Sequence, residues 1–119
     1  MTKLTRGDIV WVEFGVARGG AKAGEHPAVV VQNDVGNSNS PLVIVVPLTD
    51  IKQYKQLPVQ VYLKKEETGL MNKDSCVECG HIRTVDQKAE VLMDRGVVGR
   101  VSSAGMVGID RALRVSLAL

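Results

Sequence analysis

The chain has 119 residues, of which 45% are hydrophobic and 24% are charged, a composition typical of one folded domain and not of a disordered chain. Aromatic residues make up only 3% of it, which argues against modules that stack several bases on aromatic side chains. The formal net charge of +2 is too small to indicate nucleic-acid binding on its own.

The first half of the sequence predicts three strands separated by loops. DIVWVEF at 8–14 alternates in the way of a half-buried strand, and GVARGGAKAGE at 15–25 is a glycine-rich loop of the length that often carries function. PAVVVQN at 27–33 is a second strand, with its proline at the tolerated first position. DVGNSNSP at 34–41 is a break, and LVIVVPL at 42–48 is a strand buried on both faces.

The second half predicts further strands and one helix. TDIKQYKQL at 49–57 is a polar, basic loop, and PVQVYLK at 58–64 alternates again. DSCVECGHIRTV at 74–85 is a strand interrupted at Gly80, and DQKAEV at 86–91 is one helical turn. In the tail, the residues at helical spacing are Met106, Ile109, Leu113 and Leu117, with Ser102 or Ser103 as the cap.

This order of elements predicts the fold class. Five or more short strands closed by one terminal helix indicate a mainly β protein, a small barrel or strongly coiled sheet, with a single domain at 1–119. The lack of βαβ alternation and of a phosphate-cradling glycine motif excludes Rossmann and P-loop folds. The first residues lack the apolar core of a signal peptide and no apolar run is long enough for a bilayer, so we expect a soluble, cytoplasmic protein that does not bind membranes.

The motif CVECGH supplies three possible zinc ligands, Cys76, Cys79 and His81, and His26 is a possible fourth. Strand geometry weakens a zinc site, because Cys76 and Cys79 point to opposite faces of a strand, and a zinc ribbon needs a second CxxC pair. A zinc site and a redox pair remain open, but the pattern favours small core residues and no metal.

Three other residues are candidates for chemistry, each with a plain structural alternative. His26 stands where the glycine-rich loop meets the second strand and is either an acid or base, or an idle surface residue. Thr49 follows the buried strand and either donates its hydroxyl to a phosphate or closes a turn. Arg83 either contacts phosphate or joins a surface ion pair.

Taken in order, several segments resemble the MazF/PemK family, the ribonuclease toxins of bacterial toxin–antitoxin pairs. The similarity covers nearly the whole chain. The segments that carry it are RGDIVWVEF, GEHPAVVVQNDVGNSNSP, VIVVPLTDIKQYKQLPVQV, HIRTVD and the closing helix ending in SLAL.

The resemblance implies an SH3-like (CcdB/PemK-like) barrel that forms a homodimer and cleaves single-stranded RNA at a short sequence without a metal or another cofactor. The products it implies are a 2′,3′-cyclic phosphate and a 5′-hydroxyl. It also implies a cognate antitoxin that lays an acidic, otherwise disordered segment over the RNA groove, where coupled folding accompanies binding.

Carried over residue by residue, the resemblance makes Thr49 a donor to the scissile phosphate and Arg83 an RNA or site-organising contact. Family members commonly have an arginine before the proline of the second strand, where this chain has His26 before Pro27. His81 likewise stands where many relatives have glutamine. The candidate RNA-binding residues are Arg18, Lys22, Lys55, His81 and Arg83, and the candidate catalytic residues are His26 and Thr49.

Three interpretations of His26 stay open. It is the working acid or base, with His81 as a partner; it marks a weak or silent enzyme that mainly binds RNA or antitoxin; or a loop cation such as Arg18 supports catalysis instead. A gyrase poison like CcdB shares the fold, but its proteins end in Trp-Gly-Ile, whereas this chain ends in LRVSLAL. The RNA motif and the identity of the antitoxin do not follow from the sequence.

Overall fold

The computed structural model describes residues 3–70 and 72–119. That part of the chain forms seven strands, three α-helices and two short 3₁₀ turns at Ile51–Gln53 and Met93–Arg95. The strands are β1 Asp8–Glu13, β2 Glu25–Val30, β3 Leu42–Asp50, β4 Gln60–Leu63, β5 Ser75–Glu78, β6 Arg83–Asp86 and β7 Gly99–Arg100. The helices are α1 Asp34–Asn39, α2 Lys65–Thr68 and α3 Ser103–Leu117. None of these described helices is long and apolar enough to cross a membrane.

The strands form one antiparallel sheet in the order β4-β5-β3-β2-β1-β7, with β6 also paired to β3. β5 and β6 follow each other along the same edge of β3: Leu48 pairs with Val77, while Val45, three residues earlier, pairs with Arg83, six residues later. The stretch from Val77 to Arg83 is therefore three residues longer than the stretch of β3 that it accompanies, and the extra residues form the turn between β5 and β6. This agrees with the predicted strand at 74–85 and its interruption at Gly80.

Apolar side chains pack on both faces of this curled sheet, because successive residues of a strand point to opposite sides. One face carries Val10, Val12, Phe14, Ala28, Val30, Val43 and Val45, which are packed with Val85 and Val91. The other face carries Ile9, Val29, Val46 and Leu48, which are packed with Val77, Cys79 and the helical residues Ile109 and Ala112. The central strand β3 thus contributes to two cores.

Helix α3 covers the second face and begins where the sequence indicates. The Ser102 hydroxyl accepts a hydrogen bond from the Gly105 amide at 3.0 Å, which caps the helix. Ile109 is fully buried, and Met106 and Leu113 pack against the same core. Leu117, which the periodicity also places on this face, is 55% exposed, since the helix runs past the edge of the core at its end.

The segment 34–41, predicted as a break, contains helix α1, and this prediction was wrong. The Asn33 side chain accepts from the Gly36 amide at 2.8 Å and caps the helix start. Asn37 is buried and donates to the Gln32 carbonyl at 3.0 Å. Polar side chains that read as turn formers here satisfy the backbone of a six-residue helix. The predicted turn at 86–91 is present, since the Glu90 amide donates to the Asp86 carbonyl at 3.0 Å.

Candidate active site

A cavity lined by both apolar and charged side chains opens where β2 begins and β3 ends. The β2–β3 ladder pairs Val30 with Val45 and Ala28 with Pro47, and His26 and Thr49 lie two residues beyond its last pair on their respective strands. The cavity has a volume of about 510 Å³ and is lined by Trp11, Lys22, His26, Pro27, Leu48, Thr49, Asp50, Leu70, Asn72, Lys73 and Ser75.

His26 is half-buried and held by one hydrogen bond. Its ring Nε2 lies 2.6 Å from the Ala23 carbonyl oxygen. A carbonyl oxygen only accepts, so Nε2 carries the proton. No other described residue hydrogen-bonds the ring, which leaves Nδ1 as the nitrogen that can take a proton from a ligand. The Phe14 ring, 6.3 Å away between centroids and tilted by 37°, flanks the imidazole.

The glycine-rich loop that precedes His26 is closed at its base by two backbone hydrogen bonds. The Phe14 amide donates to the Gly24 carbonyl at 2.9 Å, and the Gly24 amide donates to the Gly15 carbonyl at 2.8 Å. Gly15 and Gly24 both have positive φ, 86° and 75°, a conformation that other residues adopt at a cost. These glycines set the path that places Lys22 and the Ala23 carbonyl beside the start of β2.

Arg83 braces the same loop from β6. Its guanidinium lies over the Phe14 ring, 5.2 Å from the centroid. Its nitrogens donate to the Phe14 carbonyl at 3.4 Å and to the Lys22 carbonyl at 3.5 Å. The guanidinium therefore touches both ends of the loop. Arg83 does not line the cavity, and its contacts fit the site-organising alternative better than direct RNA contact.

Thr49 lies within β3, which runs two residues beyond the strand end predicted from the sequence, because β5 pairs with this part of β3. Thr49 is opposite Cys76, and Asp50 is opposite Ser75. Asp50 accepts hydrogen bonds from the Lys52 amide at 2.9 Å and from Lys73 Nζ at 3.3 Å. The Lys52 amide, and then Lys73, hold the pKa of the Asp50 carboxyl below its usual value, so this carboxylate is charged at neutral pH.

The structure gathers His26, Thr49 and Lys22 at one cavity but not the other predicted site residues. Arg18 and Lys55 are exposed residues of the 15–25 and 49–57 loops, and His81 is exposed in the β5–β6 turn, where its amide donates to the Glu78 carbonyl at 3.1 Å. None of these three lines the cavity. Four cavity residues were not predicted from the sequence and reach the cavity through the β3–β5 register: Asp50, Asn72, Lys73 and Ser75.

Both cysteines are fully buried, and Cys79 belongs to the core beneath α3. Burial raises the pKa of each thiol to about 12, which keeps both protonated and unreactive at neutral pH. The described residues contain no group of three or more His, Cys, Asp or Glu side chains that could hold a metal ion. The CVEC motif thus serves packing in this fold.

The fold and the cavity together define a class of small proteins, in which a curled antiparallel half-barrel with a C-terminal helix carries a cavity with two lysines at the end of its central strand. The family model described as the PemK-like, MazF-like toxin of type II toxin–antitoxin systems matches residues 5–117. The chain belongs to this family. The family and the fold class predicted from the sequence are both confirmed.

Individual relatives support the same family and fold. The chain is 34% identical over 116 residues to the endoribonuclease MazF of Staphylococcus epidermidis, across 98% of this chain and 92% of that protein. It is therefore a homologue of an endoribonuclease. The fold matches MazF from Deinococcus radiodurans with a TM-score of 0.78 at 20% identity over the full length of both chains. It also matches a mycobacterial endoribonuclease solved with its cognate antitoxin, with a TM-score of 0.77 at 24% identity over 98% of this chain and 96% of that one.

Proposed function

We propose that this protein is a toxin that cleaves single-stranded RNA, mRNA included, at a short sequence, without a metal, leaving a 2′,3′-cyclic phosphate and a 5′-hydroxyl. The observation that carries the proposal is the meeting of His26, Thr49 and Lys22 at one cavity. A base, a hydroxyl donor and a cation are what attack of a ribose 2′-hydroxyl on its phosphate requires. The endoribonuclease relative supports cleavage of RNA over the gyrase-poison alternative.

His26 is the general base in this scheme. Its Nε2–H is engaged by the Ala23 carbonyl, so Nδ1 accepts the proton of the 2′-hydroxyl. The 2′-oxygen–phosphorus bond forms as the bond from phosphorus to the 5′-oxygen breaks. The leaving 5′-oxygen takes a proton from water, and the hydroxide that remains takes the proton held on Nδ1, which returns His26 to its neutral form. The atoms balance without a second histidine, and His81 is left to contact RNA from its exposed turn.

Thr49 and Lys22 act on the phosphate. Thr49 donates its hydroxyl to a non-bridging oxygen, where charge increases in the phosphorane. Lys22 supplies positive charge from the loop that Arg83 braces. The exposed cations Arg18 and Lys55 lie in loops on which flanking nucleotides can rest, and such contacts make binding depend on salt.

We infer a homodimer and a cognate antitoxin whose acidic segment competes with RNA for the basic loops. A related mycobacterial endoribonuclease has been solved in complex with its cognate antitoxin, and a Deinococcus radiodurans MazF in a MazE-MazF complex, which supports the second inference.

A second candidate function is binding of RNA or antitoxin without cleavage. It is favoured by one observation: the described residues that line the cavity include no arginine, so no bidentate guanidinium is available there for phosphate. Histidine has fewer donors and a charge that varies with pH.

The experiment is incubation of the purified protein with a long single-stranded RNA in EDTA, followed by mapping of the 5′ ends. We expect discrete fragments with 5′-hydroxyls. Thr49→Ala should lower the cleavage rate about 100-fold, the effect of losing one oxyanion donor, with an unchanged melting curve. Thr84→Ala, an exposed threonine on β6, is the matched control and should cleave as the wild type does.

RNA binding without any cleavage, in wild type and in His26→Arg alike, would establish the silent alternative. Equal losses of activity and of folded protein in Thr49→Ala would make Thr49 a structural residue. Cleavage that requires an added divalent ion would contradict the metal-free scheme.

A further inference from the structure

Lys73 is a cavity residue that the sequence reasoning did not single out. It lies two residues before β5, lines the same cavity as His26 and Thr49, and its Nζ is 3.3 Å from Asp50 Oδ2. Asp50 is the residue directly after Thr49. An ammonium group is therefore held by Asp50 at the cavity that Thr49 also lines.

The β3–β5 register explains how Lys73 reaches this place. Asp50 is the last residue of β3 and pairs with Ser75 at the start of β5. The chain that leads into β5 therefore passes the end of β3, and Lys73 meets Asp50 there. The Asp50 carboxylate is itself held, since its other oxygen accepts from the Lys52 amide at 2.9 Å. The 3₁₀ turn at Ile51–Gln53 fixes the carboxylate, and the carboxylate fixes the lysine.

The reaction needs a positive group near the phosphate, and the Lys73 ammonium can supply it. Charge builds on the non-bridging oxygens when the 2′-oxygen attacks, and a donor that is already in place stabilises that charge most effectively. The charge of a histidine varies around neutral pH, whereas a lysine keeps its charge there. The Lys73 ammonium has three N–H donors, and Asp50 needs only one of them.

Lys73 remains open to a ligand. Its side chain is 68% exposed and that of Asp50 is 42% exposed, so water occupies the free donors and phosphate can displace it. An exposed pair of this kind contributes little to stability. The ion pair instead affects position, because the contact with Asp50 restricts where the Lys73 ammonium can go.

We propose that Lys73 is a catalytic residue that donates to a non-bridging oxygen of the scissile phosphate, and that Asp50 is its positioning residue. The proposal rests on the proposed ribonuclease function and adds to it the cation that serves the transition state. Lys22 then serves mainly to bind the RNA backbone.

The test uses the full chain and a short RNA oligonucleotide that contains one cleavage site mapped with wild-type protein. The same oligonucleotide with a 2′-deoxy residue at the attacking position measures binding alone. Lys73→Ala should lower kcat about 100-fold and change the Kd for the deoxy oligonucleotide less than about threefold. Lys73→Arg, which keeps the charge, should recover most of the activity, and Lys88→Ala, an exposed lysine outside the cavity, should have none of these effects.

The variant Asp50→Asn tests whether Asp50 positions the Lys73 ammonium or only maintains the local fold. Asparagine still accepts the Lys52 amide as a cap but no longer pairs with an ammonium. We expect it to lower kcat in the wild-type background and to have no further effect in the Lys73→Ala background. The melting curve of Lys73→Ala should overlay that of the wild type, because the Lys73 side chain is 68% exposed, whereas Asp50→Asn should melt slightly lower, because it loses a carboxylate that stabilises the folded state. If Lys73→Ala is poorly folded, Lys73→Gln replaces it in every comparison.

The results distinguish the two proposals. A wild-type protein that does not cleave RNA at all overturns the ribonuclease function and with it the role of Lys73. A wild-type protein that cleaves, together with Lys73→Ala that cleaves within about twofold of it, overturns the role of Lys73 alone. A loss that appears only in Kd makes Lys73 a binding contact and also overturns its catalytic role.

Discussion

His26 uses the two nitrogens of its ring for different purposes. Nε2 donates to the Ala23 carbonyl at 2.6 Å, which fixes the ring on the loop that precedes β2. That bond also fixes the tautomer, because only a protonated nitrogen can donate. Nδ1 is then the only basic atom of the ring. A loop carbonyl thus decides which nitrogen is available for proton transfer.

This division predicts different outcomes for two substitutions of similar size. His26→Gln keeps an N–H near the position of Nε2 but has no base, so we expect a normal melting temperature and a kcat that is lower by about 100-fold or more, the usual contribution of a general base. His26→Asn is too short to reach the Ala23 carbonyl from the same backbone, and we expect it to lower both kcat and the melting temperature.

Thermal unfolding and single-turnover cleavage of the mapped oligonucleotide measure the two effects. Cleavage by His26→Gln at the wild-type rate would remove His26 from proton transfer and favour a cation as the main source of catalysis.

At the scale of the elements, the strands were predictable and their ends were not. The alternation in 8–14 and the apolar run at 42–48 identify β1 and β3, because burial of one or both faces leaves a clear pattern. β3 continues through Thr49 and Asp50 only because β5 pairs with them. No local pattern encodes that pairing, so Thr49 reads as a loop residue in the sequence.

The candidate site, too, could be predicted only in part from the sequence. The resemblance identified His26 and Thr49, and in the structure both line the cavity, two residues beyond the last pair of the β2–β3 ladder. Lys73 and Ser75 were missed because they reach the cavity through a strand partner that lies more than 20 residues away in the sequence. Helix α1 was missed because its one large apolar residue, Val35, is exposed and it includes Gly36, so it lacks an apolar stripe and depends on the Asn33 cap.

Helix α3 contains a glycine that helps packing although it weakens helix propensity. A Cβ on Gly105 would come within 2.6 Å of Val101 Cγ1 and 3.0 Å of Leu63 Cδ2. Both neighbours are buried, at 5% and 1% exposed, so neither can move freely. The absence of a side chain at Gly105 lets the helix approach the sheet closely.

We therefore expect Gly105→Ala to lower the free energy of unfolding by about 1 kcal/mol, since overpacking costs about 1–3 kcal/mol and the gain in helix propensity returns roughly 1 kcal/mol. Urea unfolding measures the change. Val107→Ala, at a position 57% exposed on the same helix, is the control and should stay within about 0.5 kcal/mol of wild type. A more stable Gly105→Ala protein would show that α3 can move away from the sheet without loss.

Across the whole molecule, the sheet is held by backbone ladders, whereas several irregular segments are held by aspartates. Asp34 accepts from the Arg6 amide at 2.7 Å, and Asp50 accepts from the Lys52 amide. Asp74 accepts from the Tyr62 hydroxyl at 2.5 Å and the Lys65 amide at 2.9 Å. Asp86 accepts from the Lys88 and Ala89 amides. These carboxylates hold the connections between strands.

The same contacts set the response of the fold to acid. Hydrogen bonds to the charged form lower the pKa of each of these carboxyls: the Arg6 amide for Asp34, the Lys52 amide for Asp50, the Tyr62 hydroxyl for Asp74 and the Ala89 amide for Asp86. A group whose pKa is lower in the folded state stabilises it above the unfolded value, about 3.9 for aspartate. That stabilisation is lost as the pH falls through the lowered folded values.

We expect the melting temperature to be nearly constant between pH 7 and pH 5 and to fall steeply below about pH 4, where unfolded aspartates begin to bind protons. The double variant Asp34→Asn and Asp86→Asn keeps the acceptor oxygens but has two fewer of these titrating groups, so its melting temperature should fall less over the same range. Scanning calorimetry from pH 6 to pH 3 measures both curves. Parallel curves for the two proteins would show that protonation of other groups causes the loss of stability in acid. The carboxylates of Asp34 and Asp86 would then not control the acid unfolding of this protein.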